Sequence, residues 1–176
     1  GAGSRSLFLN AQTLSNLATG GTATVQVEDA LTVSGTTTLG ANTTLRIKPG
    51  SSGTFNGNVT VNGTLDMDAT TTFNAALTVE ATGTFSATSN QTFTISFDET
   101  AATTLNNGAN FNINPTAGTF VDLRSTVQGN QWDFFRNAGV TVTASRVRVQ
   151  DSNLQTNTIT ATNGSVDLGN NSAQWL

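Results

Sequence analysis

The sequence predicts an all-β protein built as a parallel β-helix, a solenoid of short stacked strands with an N-terminal cap. Three observations point there. Charged residues make up only 10% of the 176-residue chain, against about a quarter in ordinary globular domains, and Thr, Asn, Gly and Ser fill the gap. Val, Ile, Leu and ten Phe still recur at short intervals, which a disordered polar chain would lack. The apolar residues also come in apolar-x-apolar pairs, the alternation of a strand with one buried face.

Taken in chain order, the pairs are Val25/Val27, Leu31/Val33, Leu45/Ile47, Val59/Val61, Leu65/Met67, Leu77/Val79, Phe93/Ile95, Phe111/Ile113, Val140/Val142 and Val147/Val149. Between them stand lone apolar residues behind Gly-Thr or Thr-Thr: Leu39, Phe55, Phe73, Phe85 and Leu105. Gly35, Gly40, Gly50, Gly57, Gly63, Gly83 and Gly108 punctuate the segments, as turn residues do. Leu31-Thr32-Val33-Ser34-Gly35-Thr36 matches Val59-Thr60-Val61-Asn62-Gly63-Thr64, and Leu77-Thr78-Val79 with Gly83-Thr84 is a third copy. Successive copies lie about 14 to 28 residues apart, a loose repeat near the length of one β-helix coil.

A three-residue strand cannot bury an apolar face alone. Stacking equivalent strands makes inward ladders of Leu, Val, Ile and Phe, with Thr and Asn outside. The competing fold is an antiparallel β-sandwich, whose hairpins Asn56-Gly57, Asn62-Gly63, Asn107-Gly108 and Asn163-Gly164 would supply. Residues 1–21 form the expected cap or assembly segment, with Leu7, Ala11, Leu14 and Leu17 at near-helical spacing. Residues 22–113 carry the rungs. After Asn114-Pro115, where Pro lacks a ladder donor, residues 114–176 form closing rungs with a Trp/Asn-rich end.

The net charge of -4 and a pI near 4.4 argue against nucleic acid and anionic membranes, since few cations are present to neutralise phosphates. No apolar run nears the roughly 20 residues that span a bilayer. Without Cys or His, disulfides, thiolate metal sites and a Ser-His-Asp triad are excluded. The chain opens without a signal-peptide pattern, so a mature form or an internal piece is expected.

The last third carries a resemblance. Phe120 to Ser125, Gly129 to Trp132, Val147 to Asn153, Ile159 to Asn163 and Asp167 to Ser172, up to Trp175, resemble the closing portion of β-solenoid units in very large secreted bacterial surface proteins. The upstream Leu-Thr-Val-x-Gly-Thr repeats resemble the same units, and also haemagglutinin-type and autotransporter passenger helices. The resemblance implies an extracellular or cell-surface scaffold, one unit among several, with no catalytic residues to carry over.

Candidate chemistry is sparse. Asp66 and Asp68 sit two apart on one strand, about 7 Å by strand rise, a spacing within the range of paired glycosidase carboxylates. Glu28/Asp29 and Asp98/Glu99 are adjacent and face opposite ways. Arg146 and Arg148 share an outward face with Asp151 nearby, and Lys48 lies in a turn. The carboxylates read as solvated surface or turn residues, Lys48 as a turn residue and the arginines as surface ion pairs, so no catalytic residue and no enzyme activity is expected. Ca²⁺ is the one cofactor considered, through the oxygens of Asp66, Asp68 and the Asp167-Leu-Gly-Asn-Asn turn. Trp132 and Trp175 are the aromatic candidates for stacking on sugars, although core packing suits both. Thr22/Thr24, Thr92/Thr94, Thr141/Thr143 and Thr158/Thr160 could mimic an ice lattice only at one fixed rung position, and their spacing is irregular. The expected function is a non-catalytic structural module, a surface scaffold or fibre/adhesin stalk stacking end to end. The alternative is a carbohydrate-binding or polysaccharide-cleaving β-helix, and ice binding comes last. The expected partners are copies of itself or adjacent solenoid units, with surface glycans next.

Overall fold

The computed structural model describes residues 3–10 and 12–175, and no helix occurs among them. The chain winds in rungs of three short strands. Rung 1 is β1 (Ser4–Leu7), β2 (Thr13–Leu14) and β3 (Leu17–Thr19), and rung 2 is β4 (Thr24–Val27), β5 (Ala30–Val33) and β6 (Thr37–Leu39). Rung 3 is β7 (Thr44–Ile47), β8 (Ser52–Phe55) and β9 (Val59–Val61); rung 4 is β10 (Thr64–Met67), β11 (Thr71–Phe73) and β12 (Leu77–Val79). Rung 5 is β13 (Thr84–Ala87), β14 (Phe93–Phe97) and β15 (Thr103–Leu105); rung 6 is β16 (Asn110–Ile113), β17 (Val121–Ser125) and β18 (Trp132–Arg136). Rung 7 is β19 (Thr141–Ser145), β20 (Val147–Val149) and β21 (Ser152–Thr156), and β22 (Ala161–Thr162) and β23 (Val166–Asp167) begin rung 8.

Equivalent strands of successive rungs pair to form three sheets: sheet A runs from β1 to β22, sheet B from β2 to β23 and sheet C from β3 to β21. Every strand pairing is parallel. The protein is therefore a parallel β-solenoid, and the sandwich is excluded. Asn56-Gly57, Asn62-Gly63, Asn107-Gly108 and Asn163-Gly164 turn corners between parallel strands of neighbouring sheets, not hairpins.

The repeat is stricter than the sequence suggested. Ser4, Thr24, Thr44, Thr64 and Thr84 are successive partners on sheet A, one every 20 residues. The coil then widens, Thr84 pairing with Asn110 and Asn110 with Thr141. Two features hide this period. Leu31 lies on β5 of sheet B and Val59 on β9 of sheet C, so the matched copies sit on different faces of the coil. Four of the five lone apolar residues are second members of inward pairs whose first member is Thr or Gly: Thr37/Leu39, Gly53/Phe55, Thr71/Phe73 and Thr103/Leu105, all buried, while Phe85 pairs inward with Ala87.

All the inward positions feed one continuous core. Aromatic rings line it in two columns along the axis. Phe55, Phe73, Phe97 and Trp132 stack with centroids 5.2, 5.7 and 4.4 Å apart, and Phe85, Phe111, Phe134 and Trp175 follow at 5.5, 5.5 and 6.0 Å. Such ring pairs add about 0.5–1.5 kcal/mol each beyond their burial. The described part of residues 1–21 runs as β1–β3, with Leu7, Leu14 and Leu17 partly buried against the core, while Gly1, Ala2 and Ala11 lie outside the described residues. The loop after Asn114-Pro115 leaves the ladders intact, since β16 pairs with β19 and β14 with β17 across it.

Candidate functional site

Outward positions alternate with the core ladders, so register decides which polar side chains meet. On sheet A, Gln26, Arg46, Asp66 and Ser86 are successive partners. Arg46 Nε donates to Asp68 Oδ2 at 2.7 Å and lies 3.4 Å from Asp66 Oδ2. One rung back, Lys48 Nζ donates to Glu28 Oε2 at 2.7 Å and Ser6 Oγ to Glu28 Oε1 at 2.8 Å. Acid, base and acid thus occupy rungs 2, 3 and 4 in turn. Burial, and then the Asp68 charge, push the Asp66 carboxyl above its usual range. The Asp68 hydrogen bond holds Arg46 in its charged form. Bonds from Lys48 and Ser6 pull Glu28 below the usual carboxylate range. Asp68 is only 2% exposed, just past the end of β10, so the two aspartates converge on the Arg46 guanidinium.

That convergence bears on Ca²⁺. A cation between Asp66 and Asp68 would have to displace Arg46. Asp167 lies at the far end of the solenoid, its Oδ1 accepting from the Gly169 amide at 2.7 Å and from Asn171 Nδ2 at 2.6 Å. Its turn is closed on itself. The three carboxylates do not form one oxygen cage, and the residues present do not fit a calcium site. Among the described residues no group of three His, Cys, Asp or Glu side chains converges.

Sheet B carries a second charge cluster that sequence reasoning missed. Asp122 on β17 faces Arg148 on β20; Arg148 Nη2 donates to Asp122 Oδ2 at 2.8 Å and Arg124 Nη2 to the same oxygen at 3.0 Å. Arg148 also lies 5.1 Å over the Phe120 ring, a cation–π contact. The expected grouping of Arg146 and Arg148 with Asp151 does not occur. Arg146 adopts φ 52° at the corner before β20 and donates to the Pro115 carbonyl at 2.9 Å. Buried Asp151 accepts from the Gly129 amide at 3.0 Å and Asn170 Nδ2 at 2.7 Å. A left-handed corner residue had turned the two arginines apart.

Both Trp candidates face inward. Trp132 is 1% and Trp175 9% exposed, and their indole N–H groups donate to the Gln150 carbonyl at 3.3 Å and Ser152 Oγ at 2.9 Å. Neither offers a free ring face to a sugar. Thr does form ranks, and of the expected triplet residues Thr24 joins one, with Thr44, Thr64 and Thr84 on sheet A. Thr13, Thr32, Thr54, Thr72 and Ser96 make one outward rank on sheet B. Thr38, Thr60, Thr78 and Thr104 make another on sheet C. The 20-residue register of sheet A would have paired Arg46 with Asp66, whereas the ranks of sheets B and C are spaced by 18 to 26 residues and follow no fixed period.

The ends differ from the sides. Among the described residues, β1, β2 and β3 each leave one ladder edge without a partner strand, as do β21, β22 and β23. At the N-terminal end Leu7, Leu14, Leu17 and Val25 line an open mouth with Arg5. At the other, Val147, Val149, Ala161 and Trp175 line a hollow with Asp167. No protein-family model, no curated protein and no solved structure matches the chain.

Proposed function

We propose that this chain is a non-catalytic, extracellular structural module, a surface scaffold or fibre/adhesin stalk that stacks end to end into filaments. One observation carries the reading: the solenoid's polar groups are spent on its sides, while its two ends leave backbone edges and apolar core open. Unpaired edges are templates for another copy. On the sides, Arg46, Lys48 and Arg148 pair with carboxylates of the neighbouring rung, and hydroxyls cover the strands between them. The extracellular setting rests on the resemblance of the closing segments to secreted bacterial surface units.

Electron microscopy of the concentrated protein tests the reading. The expected result is unbranched rods with an axial repeat of about 38 Å per copy, from roughly eight rungs at ~4.8 Å each. Single short particles at every concentration would refute it. The hydroxyl rank of sheet B favours one second reading, binding to an ordered ice or mineral face, since parallel strands repeat those hydroxyls along the axis. Thermal hysteresis in a freezing assay, lost in Thr54→Lys/Thr72→Lys, is its test.

A further inference from the structure

Register places one charged residue at a core-facing position at each end of the solenoid, and the two charges are opposite. Arg5 heads the inward ladder that continues through Val25, Leu45, Leu65, Phe85 and Phe111. Asp167 ends the inward ladder of Leu123 and Val149. Arg5 is exposed at the N-terminal mouth, and Asp167 is exposed at the C-terminal hollow. The described hydrogen bonds of the Asp167 carboxylate use Oδ1 alone, which leaves Oδ2 for another donor.

We infer that the partner at each end is a second copy of this chain in head-to-tail orientation, with Arg5 of one copy meeting Asp167 of the next inside the shared core. The inference rests on the stacking reading above and adds its polarity. An inward charge under an apolar rung is costly unless an opposite charge meets it. Of the possible junctions, only N-terminal end on C-terminal end supplies that partner. Two N-terminal ends would oppose Arg5 to Arg5, two C-terminal ends Asp167 to Asp167, and either would run the joined strands antiparallel. Head-to-tail stacking continues all the ladders in the parallel sense that the rest of the molecule uses. Apolar surface agrees. Of the four exposed large hydrophobic residues described, Phe8 lies in the first rung, and Val166 and Leu168 lie at or beside the last strand. A junction would cover the ends where these three sit. The same two charges exclude the wrong junctions, specificity by repulsion as well as attraction.

The test uses Arg5→Glu and Asp167→Arg, singly and mixed, by sedimentation velocity and electron microscopy, with circular dichroism confirming native strand content. The wild-type chain is expected to form rods that shorten as salt rises. Each single variant should associate at least roughly tenfold more weakly. An equimolar mixture of the two should recover rods, because each variant's altered end now complements the other's, and that recovery also shows that both are folded. Rods unaffected by either substitution would overturn the Arg5–Asp167 junction while leaving the scaffold reading standing. Absence of rods from the wild type would overturn both.

Discussion

At the residue scale, the side chains that matter most are those whose neighbours come from another rung. Phe73 is packed between Phe55 and Phe97 at 5.2 and 5.7 Å and is 1% exposed. Phe73→Ala should cost about 3–5 kcal/mol, read as a lower midpoint in urea unfolding. The carboxylates of sheet A make opposite pH predictions. Asp66 is raised, so its contribution to stability is complete below the ordinary Asp value near 4 and is lost as pH rises through its folded value. Asp66→Asn should therefore raise the melting temperature at neutral pH and leave it nearly unchanged in acid. Glu28 is lowered, so its contribution is present above the ordinary Glu value and disappears as pH falls through the folded one. Glu28→Gln should lower the melting temperature slightly at neutral pH and leave it unchanged in acid. Thermal melts from about pH 7 to about pH 3 check both signs. Alternation made the inward Val, Leu and Phe positions readable in the sequence. Buried Thr37, Thr71 and Thr103 were not readable, because Thr is equally at home on an outer strand face and only a neighbour one rung away decides which side it takes.

At the element scale, corners limit the stack more than strands do. A Cβ on Gly83 would press into the Val61 carbonyl oxygen of the rung beneath, and one on Gly63 into that of Thr43. Gly50 instead has φ +87° and open space around it. Gly83→Ala should cost about 1–3 kcal/mol through overpacking, with increased amide exchange in β12 and β13. Gly50→Ala should cost about 1–2 kcal/mol through left-handed strain and leave exchange in the neighbouring rungs unchanged. Both glycines read alike in the sequence, as punctuation between strands. One is needed for dihedral freedom and the other for rung-to-rung contact, which no local pattern distinguishes.

Across the whole molecule, the solenoid is a one-dimensional stack in which each rung contacts mainly its neighbours. Removing residues 64–83 deletes one 20-residue coil and joins Gly63 to Thr84, which already follow equivalent turns. That variant should keep a strand-dominated circular-dichroism spectrum and unfold cooperatively. Removing only residues 64–73 puts sheet C strands where sheet A strands belong, and it should lose both. The near-helical spacing in residues 1–21 suits a capping helix or strand alike, and here the described residues form strands. Two corners within one coil place Leu7, Leu14 and Leu17 at that spacing while each sits on a different sheet.

The sequence alone determined that this chain is β, repetitive, free of thiol and imidazole chemistry, and held by an inward set of aliphatic and aromatic residues. Those properties are local: alternation, turn residues and composition are written into a few consecutive positions. Only the tertiary structure decided the register of each sheet, and with it the pairing of Arg46 with two aspartates, the Thr ranks, the burial of both tryptophans and the opposite charges at the two ends. The reason is that lateral contacts in a coil join residues a full turn apart. Three faces of similar sequence mask that turn length until the chain is wound.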